Sequence, residues 1–149
     1  MFKNVFFLFF TLTILVGCKT ETAKVFTEAD IQIIPKPQEL SINEGSFVFN
    51  ENTSFHVSND EHLQVSEVLI RRFRAAASWD LGVVKEQPQS NYISYKTNNS
   101  LKEESYNINV ENNGITIEAN GYSGFLYAVE TIRQLLPNEI ESKKAVENV

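Results

Sequence analysis

The amino-acid sequence predicts an α+β fold in which a small β-sheet carries two amphipathic helices packed on one face. Two observations lead to this prediction. Between residues 106 and 117, apolar and polar residues alternate with the period of half-buried strands, on both sides of an Asn-Gly turn. In residues 65–76 and 125–136, apolar residues recur every three or four positions, as in helices that bury one face.

The first half of the chain predicts short strands followed by one helix. Ser58 and Glu61 have the spacing of a capping box, which marks a helix start. Trp79, near the end of this helix, is expected in the core or at a contact between domains. The apolar stripe of the helix consists of Val65, Leu69, Phe73 and Ala76. The strands are expected at 31–35, 40–42, 47–49 and 53–57, with a hairpin turn at 43–45.

The second half predicts a loop, a strand, a hairpin and a closing helix. The loop is expected at 81–90, the strand at 91–96 and a turn at 98–100. The hairpin turns at Asn112-Asn113-Gly114. Ser123 is expected to cap the last helix, which Pro137 ends. The buried stripe of that helix consists of Phe125, Val129, Ile132 and Leu136.

Composition narrows the range of functions. A chain of 149 residues with 42% hydrophobic residues is expected to form one globular domain. Its net charge of −6 argues against nucleic-acid binding, which requires a basic surface. The one cysteine excludes a disulfide or a cysteine metal cluster within the chain. His56 and His62 are expected at the surface, and no metal or cofactor site is predicted.

The N-terminus has the pattern of a bacterial lipoprotein signal. Lys3 precedes an apolar run that is too short to span a bilayer comfortably. The run ends in Leu15-Val16-Gly17-Cys18, which resembles the lipobox, so Cys18 is the predicted lipidation site. Residues 1–17 are then the signal peptide and residues 18–30 a polar tether. The expected location is the bacterial cell envelope, periplasmic or at the cell surface, with the protein attached to the membrane by its lipid.

Two ordered blocks of residues match one family pattern. The first is Ile34-Pro35-Lys36-Pro37-Gln38-Glu39-Leu40 with Gly45 and Phe47, and the second ends in Thr131-Ile132-Arg133-Gln134-Leu135-Leu136-Pro137. Further matches in the second block are Glu104, Tyr106, Ile108, Val110, Gly114, Ile115, Ile117, Ala119, Gly124, Phe125, Tyr127, Ala128 and Glu130. Residues 31–137 thereby resemble the N-terminal, non-catalytic domain of glycoside hydrolase family 20, the β-N-acetylhexosaminidases.

This resemblance implies a parent enzyme that removes terminal β-linked N-acetylglucosamine or N-acetylgalactosamine from glycans without a cofactor. In that family the substrate's acetamido group is the nucleophile, and an Asp-Glu pair on a following (β/α)8 barrel assists it. A barrel needs about 250 residues, so this chain cannot contain one. We therefore expect residues 138–149 to be a linker toward that barrel, and glycan to be bound only through it. The catalytic residues are expected to be absent from this chain.

The acidic and nucleophilic candidates in the chain have structural interpretations. Asp60 and Glu61 lie at a predicted helix start, where acidic side chains are favoured by the helix dipole. Glu103 and Glu104 precede a strand on an expected exposed turn. Ser123 is not in a nucleophile elbow, because Phe125 stands where the final glycine would be. The arginines of the first helix, Arg71, Arg72 and Arg74, are expected to form a solvated face.

Two other hypotheses remain open from the sequence. The chain could be the leading domain of a family 84-like O-GlcNAcase or hyaluronidase, whose barrel would carry an Asp-Asp pair. It could also be a free-standing surface lipoprotein that binds glycan or protein. The latter predicts a closed C-terminus and an exposed functional patch, whereas a domain built to meet a barrel predicts an unusually large apolar patch.

The lipobox interpretation makes a direct prediction for Cys18. Expressed in a bacterium, the chain should partition with membranes and incorporate labelled fatty acid, because the thiol carries the lipid. Cys18→Ala should abolish both, as measured by fractionation and radiolabelling. Unchanged labelling in the variant would refute lipidation at this position.

Overall fold

A computed structural model describes residues 27–144, which form a five-stranded mixed sheet and two long helices. Its elements are β1 Ser54–His56, α1 Asp60–Ala77, β2 Gly82–Val84, β3 Tyr92–Thr97, β4 Tyr106–Glu111, β5 Gly114–Ala119 and α2 Tyr122–Leu135, with 3₁₀ turns at Glu28–Asp30 and Asn138–Glu141. The predicted α+β class is confirmed. The signal peptide, Cys18 and most of the tether lie outside the described residues.

The strands are ordered β2-β1-β3-β5-β4 across the sheet. All neighbours are parallel except β4 and β5, which form the predicted hairpin. Its turn consists of Asn112 and Asn113, while Gly114 already pairs with Glu111 in the ladder. Glycine is required at position 114 because a Cβ there would lie 2.8 Å from the ring of Tyr92 on β3.

One face of the sheet and the inner faces of both helices form the core. Phe55, Ile93 and Ile117 are fully buried from the sheet side. The predicted helix stripes are confirmed, with one difference: Leu136 follows the helix as its C-cap and packs only partly buried against the core. The other buried stripe residues are Val65, Leu69, Phe73, Ala76, Phe125, Val129 and Ile132. Trp79 is half-buried and stacks on Phe73, with ring centroids 5.6 Å apart.

The expectation that both histidines lie at the surface is wrong. His62 is 2% exposed and stacks on the ring of Tyr95, with Phe125 against its edge. Burial lowers the pKa of His62 and raises the pKa of Tyr95. The Ser66 hydroxyl donates to the His62 carbonyl at 2.7 Å and pairs with the Tyr95 hydroxyl at 3.0 Å. His56 is half-buried on the other side of the sheet, opposite Ser94 in the β1–β3 register.

The predicted strands at 31–35, 40–42 and 47–49, and the hairpin at 43–45, are wrong. The chain is irregular throughout this segment, in part because Pro35 and Pro37 have no N–H to donate to a ladder. Its apolar pattern reflects contact with the core instead, since Phe49 stacks on Phe73 at 4.9 Å. Gly45 has a φ of 98°, and the neighbouring Ser46 N–H donates to the Asn112 side chain at 2.9 Å.

Three local predictions also fail. The loop expected at 81–90 contains β2, a three-residue edge strand too short and too exposed to show alternation. The N-cap of α1 is Asn59 rather than Ser58, and its side chain accepts from the His62 N–H at 2.9 Å. The N-cap of α2 is Gly121 rather than Ser123, which lies inside the first turn. In residues 27–144, no helix combines the length and hydrophobicity needed to cross a bilayer.

The core makes Ile132 a sensitive position for stability. Ile132 is 2% exposed on the inner face of α2, whereas Leu135 on the same helix is 43% exposed. We expect Ile132→Ala to lower the free energy of unfolding by about 2–5 kcal/mol, because the truncation removes buried contacts and leaves a cavity. The control Leu135→Ala should cost much less. Chemical denaturation of both variants measures the difference, and equal losses would contradict the assignment of Ile132 to the core.

Candidate functional site

The two ends of the described chain meet at the C-terminal end of α2. The Gln134 side chain forms a pair of hydrogen bonds with the backbone of Ile34, one hundred residues earlier. Its Oε1 accepts from the Ile34 N–H at 2.9 Å, and its Nε2 donates to the Ile34 carbonyl at 3.1 Å. The flanking Ile33 side chain is buried. We call this contact the Gln134 clasp.

An ion network holds the other end of the chain at the same place. Glu141 lies between two arginines, with Arg72 of α1 at 2.8 Å and Arg133 of α2 also bound. Arg133 in turn contacts Glu130 at 2.5 Å. Hydrogen bonds to these two carboxylates raise the pKa of Arg133. The pairs are partly exposed, so each contributes at most about 1 kcal/mol, but together they fix where the chain leaves α2.

The segment after Pro137 is packed rather than extended away from the domain. Residues 138–149 were expected to form a linker, but Asn138–Glu141 form a 3₁₀ turn whose Ile140 is 1% exposed. The Ser142 hydroxyl then donates to the Lys144 carbonyl at 2.6 Å and accepts from its N–H. The folded unit therefore continues past the helix to at least Ser142.

A shallow depression of about 210 Å³ lies between the two ends. Its lining includes Gln32, Leu136, Asn138 and a single carboxylate, Glu141. Glu141 is bound by two arginines, Arg72 and Arg133. The junction can therefore hold the two chain ends together, but it has no pair of carboxylates for glycoside hydrolysis.

The structure does not assemble the other candidate residues into a site. Asp60 and Glu61 are exposed in the first turn of α1, and Glu103 and Glu104 are exposed in the loop before β4. Glu104 has a φ of 70°, a local turn conformation. Within residues 27–144, no group of three or more His, Cys, Asp or Glu side chains could hold a metal ion.

Two of the three arginines expected to form a solvated face on α1 are paired with carboxylates. Arg72 takes part in the network with Glu141, and Arg74 pairs with Asp80 at 2.6 Å. The Asp80 hydrogen bond raises the pKa of Arg74. Arg71 donates to the Glu67 carbonyl of its own helix, and no carboxylate in the described chain pairs with it. The sequence patterns do not indicate either of these ion pairs.

A family model described as glycosyl hydrolase family 20, domain 2, matches residues 30–148. The chain belongs to this family. It is also 34% identical over 119 residues to a beta-hexosaminidase of Porphyromonas gingivalis, covering 78% of this chain and 15% of that protein. The predicted resemblance to a domain of glycoside hydrolase family 20 is confirmed.

Solved structures of the family show the same fold. A β-N-acetylhexosaminidase from Streptomyces coelicolor superposes with a TM-score of 0.71 at 22% identity, covering 80% of this chain and 24% of that one. An exo-β-N-acetylglucosaminidase from Vibrio harveyi gives 0.64 at 26% identity, with coverages of 82% and 18%. The chain thus spans less than a quarter of each of these relatives.

Gln134 provides a test of how the junction holds the N-terminal segment. Gln134→Ala should accelerate amide hydrogen exchange at Ile34 several-fold, because it removes two hydrogen bonds worth about 1 kcal/mol each. Gln134→Glu should have a smaller effect, since a carboxylate still accepts from the Ile34 N–H but cannot donate to its carbonyl. NMR exchange measurements on both variants check this. Unchanged exchange at Ile34 in Gln134→Ala would show that the clasp does not hold the segment.

Proposed function

We propose that this chain is the N-terminal supporting domain of a longer β-N-acetylhexosaminidase, which hydrolyses terminal β-linked N-acetylglucosamine or N-acetylgalactosamine of glycans. The observation that carries the proposal is a domain 2 match over most of the chain, combined with 15% coverage of the Porphyromonas relative. The described residues contain no carboxylate pair in a catalytic arrangement. We therefore assign hydrolysis to a following barrel. In this proposal the glycan substrate is bound by that barrel and not by the domain described here.

The path of the chain supports docking through the helix layer. After the 3₁₀ turn, Ser142 and Lys143 lie beside Val68, Arg71 and Ala75 on the outer side of α1. A domain that follows this segment is therefore brought to the helices rather than to the opposite face of the sheet. Partly exposed apolar side chains are available there, including Leu63 on α1 and Tyr127 on α2, which are 37% and 44% exposed. Burying such groups against a barrel would stabilise both domains.

The proposal also includes a lipid anchor at Cys18, in agreement with the lipobox pattern of Leu15 to Cys18. Attached acyl chains contribute about 0.8 kcal/mol per buried methylene, so more than one chain gives firm attachment. The enzyme would then act on glycans at the bacterial envelope while remaining tethered to a membrane.

The assignment of catalysis to the barrel, and of docking to the helix layer, can be tested by comparing this chain with a longer protein that includes the barrel. The purified chain should release no chromophore from an aryl β-N-acetylglucosaminide, whereas the longer protein should. Tyr127→Glu should leave the thermal unfolding of the chain unchanged, because Tyr127 is exposed, but lower the unfolding temperature of the longer protein. Turnover by the chain itself would refute its non-catalytic role. An equal response of both proteins to Tyr127→Glu would refute docking at the helix layer.

A further inference from the structure

The imidazole ring of His62 is enclosed in the core at the start of α1. His62 is 2% exposed, and its ring stacks on the ring of Tyr95 with centroids 5.2 Å apart. The ring of Phe125 contacts it edge-on at 4.8 Å. The Tyr95 hydroxyl pairs with the Ser66 hydroxyl at 3.0 Å. A change in the protonation of His62 therefore depends on the few polar groups that reach its two ring nitrogens.

The polar groups at the two ring nitrogens are hydrogen-bond donors. The Ser58 N–H donates to Nδ1 at 3.4 Å, and Nδ2 of Asn59 lies 3.4 Å from Nε2. The cap bond fixes the orientation of the Asn59 amide, because its Oδ1 accepts from the His62 N–H at 2.9 Å. The amide therefore presents its NH2 group to the ring. A neutral imidazole has one bare nitrogen that can accept from a donor, whereas an imidazolium has an N–H on both nitrogens and accepts from none.

The surrounding ionisable groups do not favour a charged ring either. Burial is the largest effect on the pKa of His62 and lowers it, and the charge of His56 on β1 lowers it further. Glu61 raises this pKa, but Glu61 is exposed at the surface of the helix. Burial raises the pKa of Tyr95 on β3, so its hydroxyl stays neutral, and α2 contributes the apolar ring of Phe125. The folded domain therefore holds His62 in its neutral form.

We propose that residues 58–62, which we call the cap turn, form an acid-sensitive switch that is closed around neutral His62 and opens when the ring is protonated. In the open turn the imidazole is exposed and has its ordinary pKa of about 6.5. Opening is then accompanied by the uptake of one proton from solvent at low pH. The stability of the closed turn is fully present above the ordinary pKa and is lost as the pH falls toward the lowered pKa of the folded domain. Across that window the ratio of open to closed turns rises up to about tenfold per pH unit.

The switch goes beyond the proposed function, because it concerns this chain alone. The cap turn contains the Asn59 cap and the first residues of α1, so its opening releases the start of that helix. Leu63 follows directly and is one of the partly exposed apolar residues assigned to docking. Acid is therefore expected to loosen the helix layer at this end. Only this last consequence rests on the proposed function.

Thermal unfolding of the full chain tests the switch between about pH 7.5 and 5.5, a range that lies above the ordinary pKa of carboxyl groups. The unfolding temperature should fall across this range. His62→Gln should remove most of the fall, because glutamine does not titrate. The matched control is His56→Gln, which removes the half-buried histidine on the other side of the sheet and should retain the fall. Equal falls in the native chain and in His62→Gln would overturn the proposal.

Asn59→Asp tests the geometry without removing the histidine. Aspartate also caps helices, so one carboxylate oxygen can still accept from the His62 N–H. The other oxygen replaces the amide NH2 beside Nε2 and can accept from a protonated ring. In NMR titrations the His62 midpoint should lie below 6.5 in the native chain and rise by about one pH unit or more in the variant. The fall in unfolding temperature should largely disappear.

Two results of this second test would overturn the switch. One is a His62 midpoint at or above 6.5 in the folded native chain. The other is an Asn59→Asp variant whose midpoint and acid sensitivity are those of the native chain. Neither measurement involves hydrolysis or a following domain, so a failure of the switch is distinguishable from a failure of the proposed function.

Discussion

The close approach of α2 to the β4–β5 hairpin is the constraint on which the rest of this domain depends. A Cβ at Gly124 would lie 2.6 Å from the Ser105 carbonyl and 2.9 Å from Ala119, so only glycine allows the helix to sit there. About two turns later along α2, the Thr131 and Tyr106 hydroxyls pair at 2.7 Å. With its position set against the hairpin, α2 presents Arg133 and Gln134 at its end, where they bind both ends of the folded chain. A shift of α2 would therefore displace the junction as well as the core.

The residues that identify the family are used by the domain to hold itself together. Ile34 of the opening block binds Gln134 of the closing block, and Tyr106 binds Thr131 within the latter. Gly114 and Gly124 are places where one backbone meets another element too closely for any side chain. The family pattern in this chain thus reports packing and hydrogen bonding and contains no catalytic chemistry. This explains why a strong family match and the lack of a carboxylate pair in the described residues are compatible.

Elements whose own sequence carries a complete pattern could be predicted, and elements defined by distant partners could not. The apolar repeats of both helices are long enough to identify each helix from its own sequence. The hairpin is identified in the same way by its Asn-Asn-Gly turn. The three-residue strand β2 exists only through parallel pairing with β1, and the apolar residues before β1 pack without pairing at all. His62 is buried because Tyr95 and Phe125 arrive from other elements. The Gln134 clasp joins residues one hundred positions apart, and no local sequence pattern predicts that contact.

The Ile34 and Glu141 segments are both held at the C-terminal end of α2, which has a mechanical consequence for the protein. The described segment that follows the predicted tether is held by Gln134, and the segment leading to the proposed barrel is held by Arg72 and Arg133. Any load between a lipid anchor at Cys18 and a downstream catalytic domain would pass across the end of α2 and its ion network. The hydrogen bonds between the strands of the sheet lie outside that path, so the force would not be transmitted through them. The proposed anchor and the proposed barrel would then be joined through the end of α2 and not through the sheet.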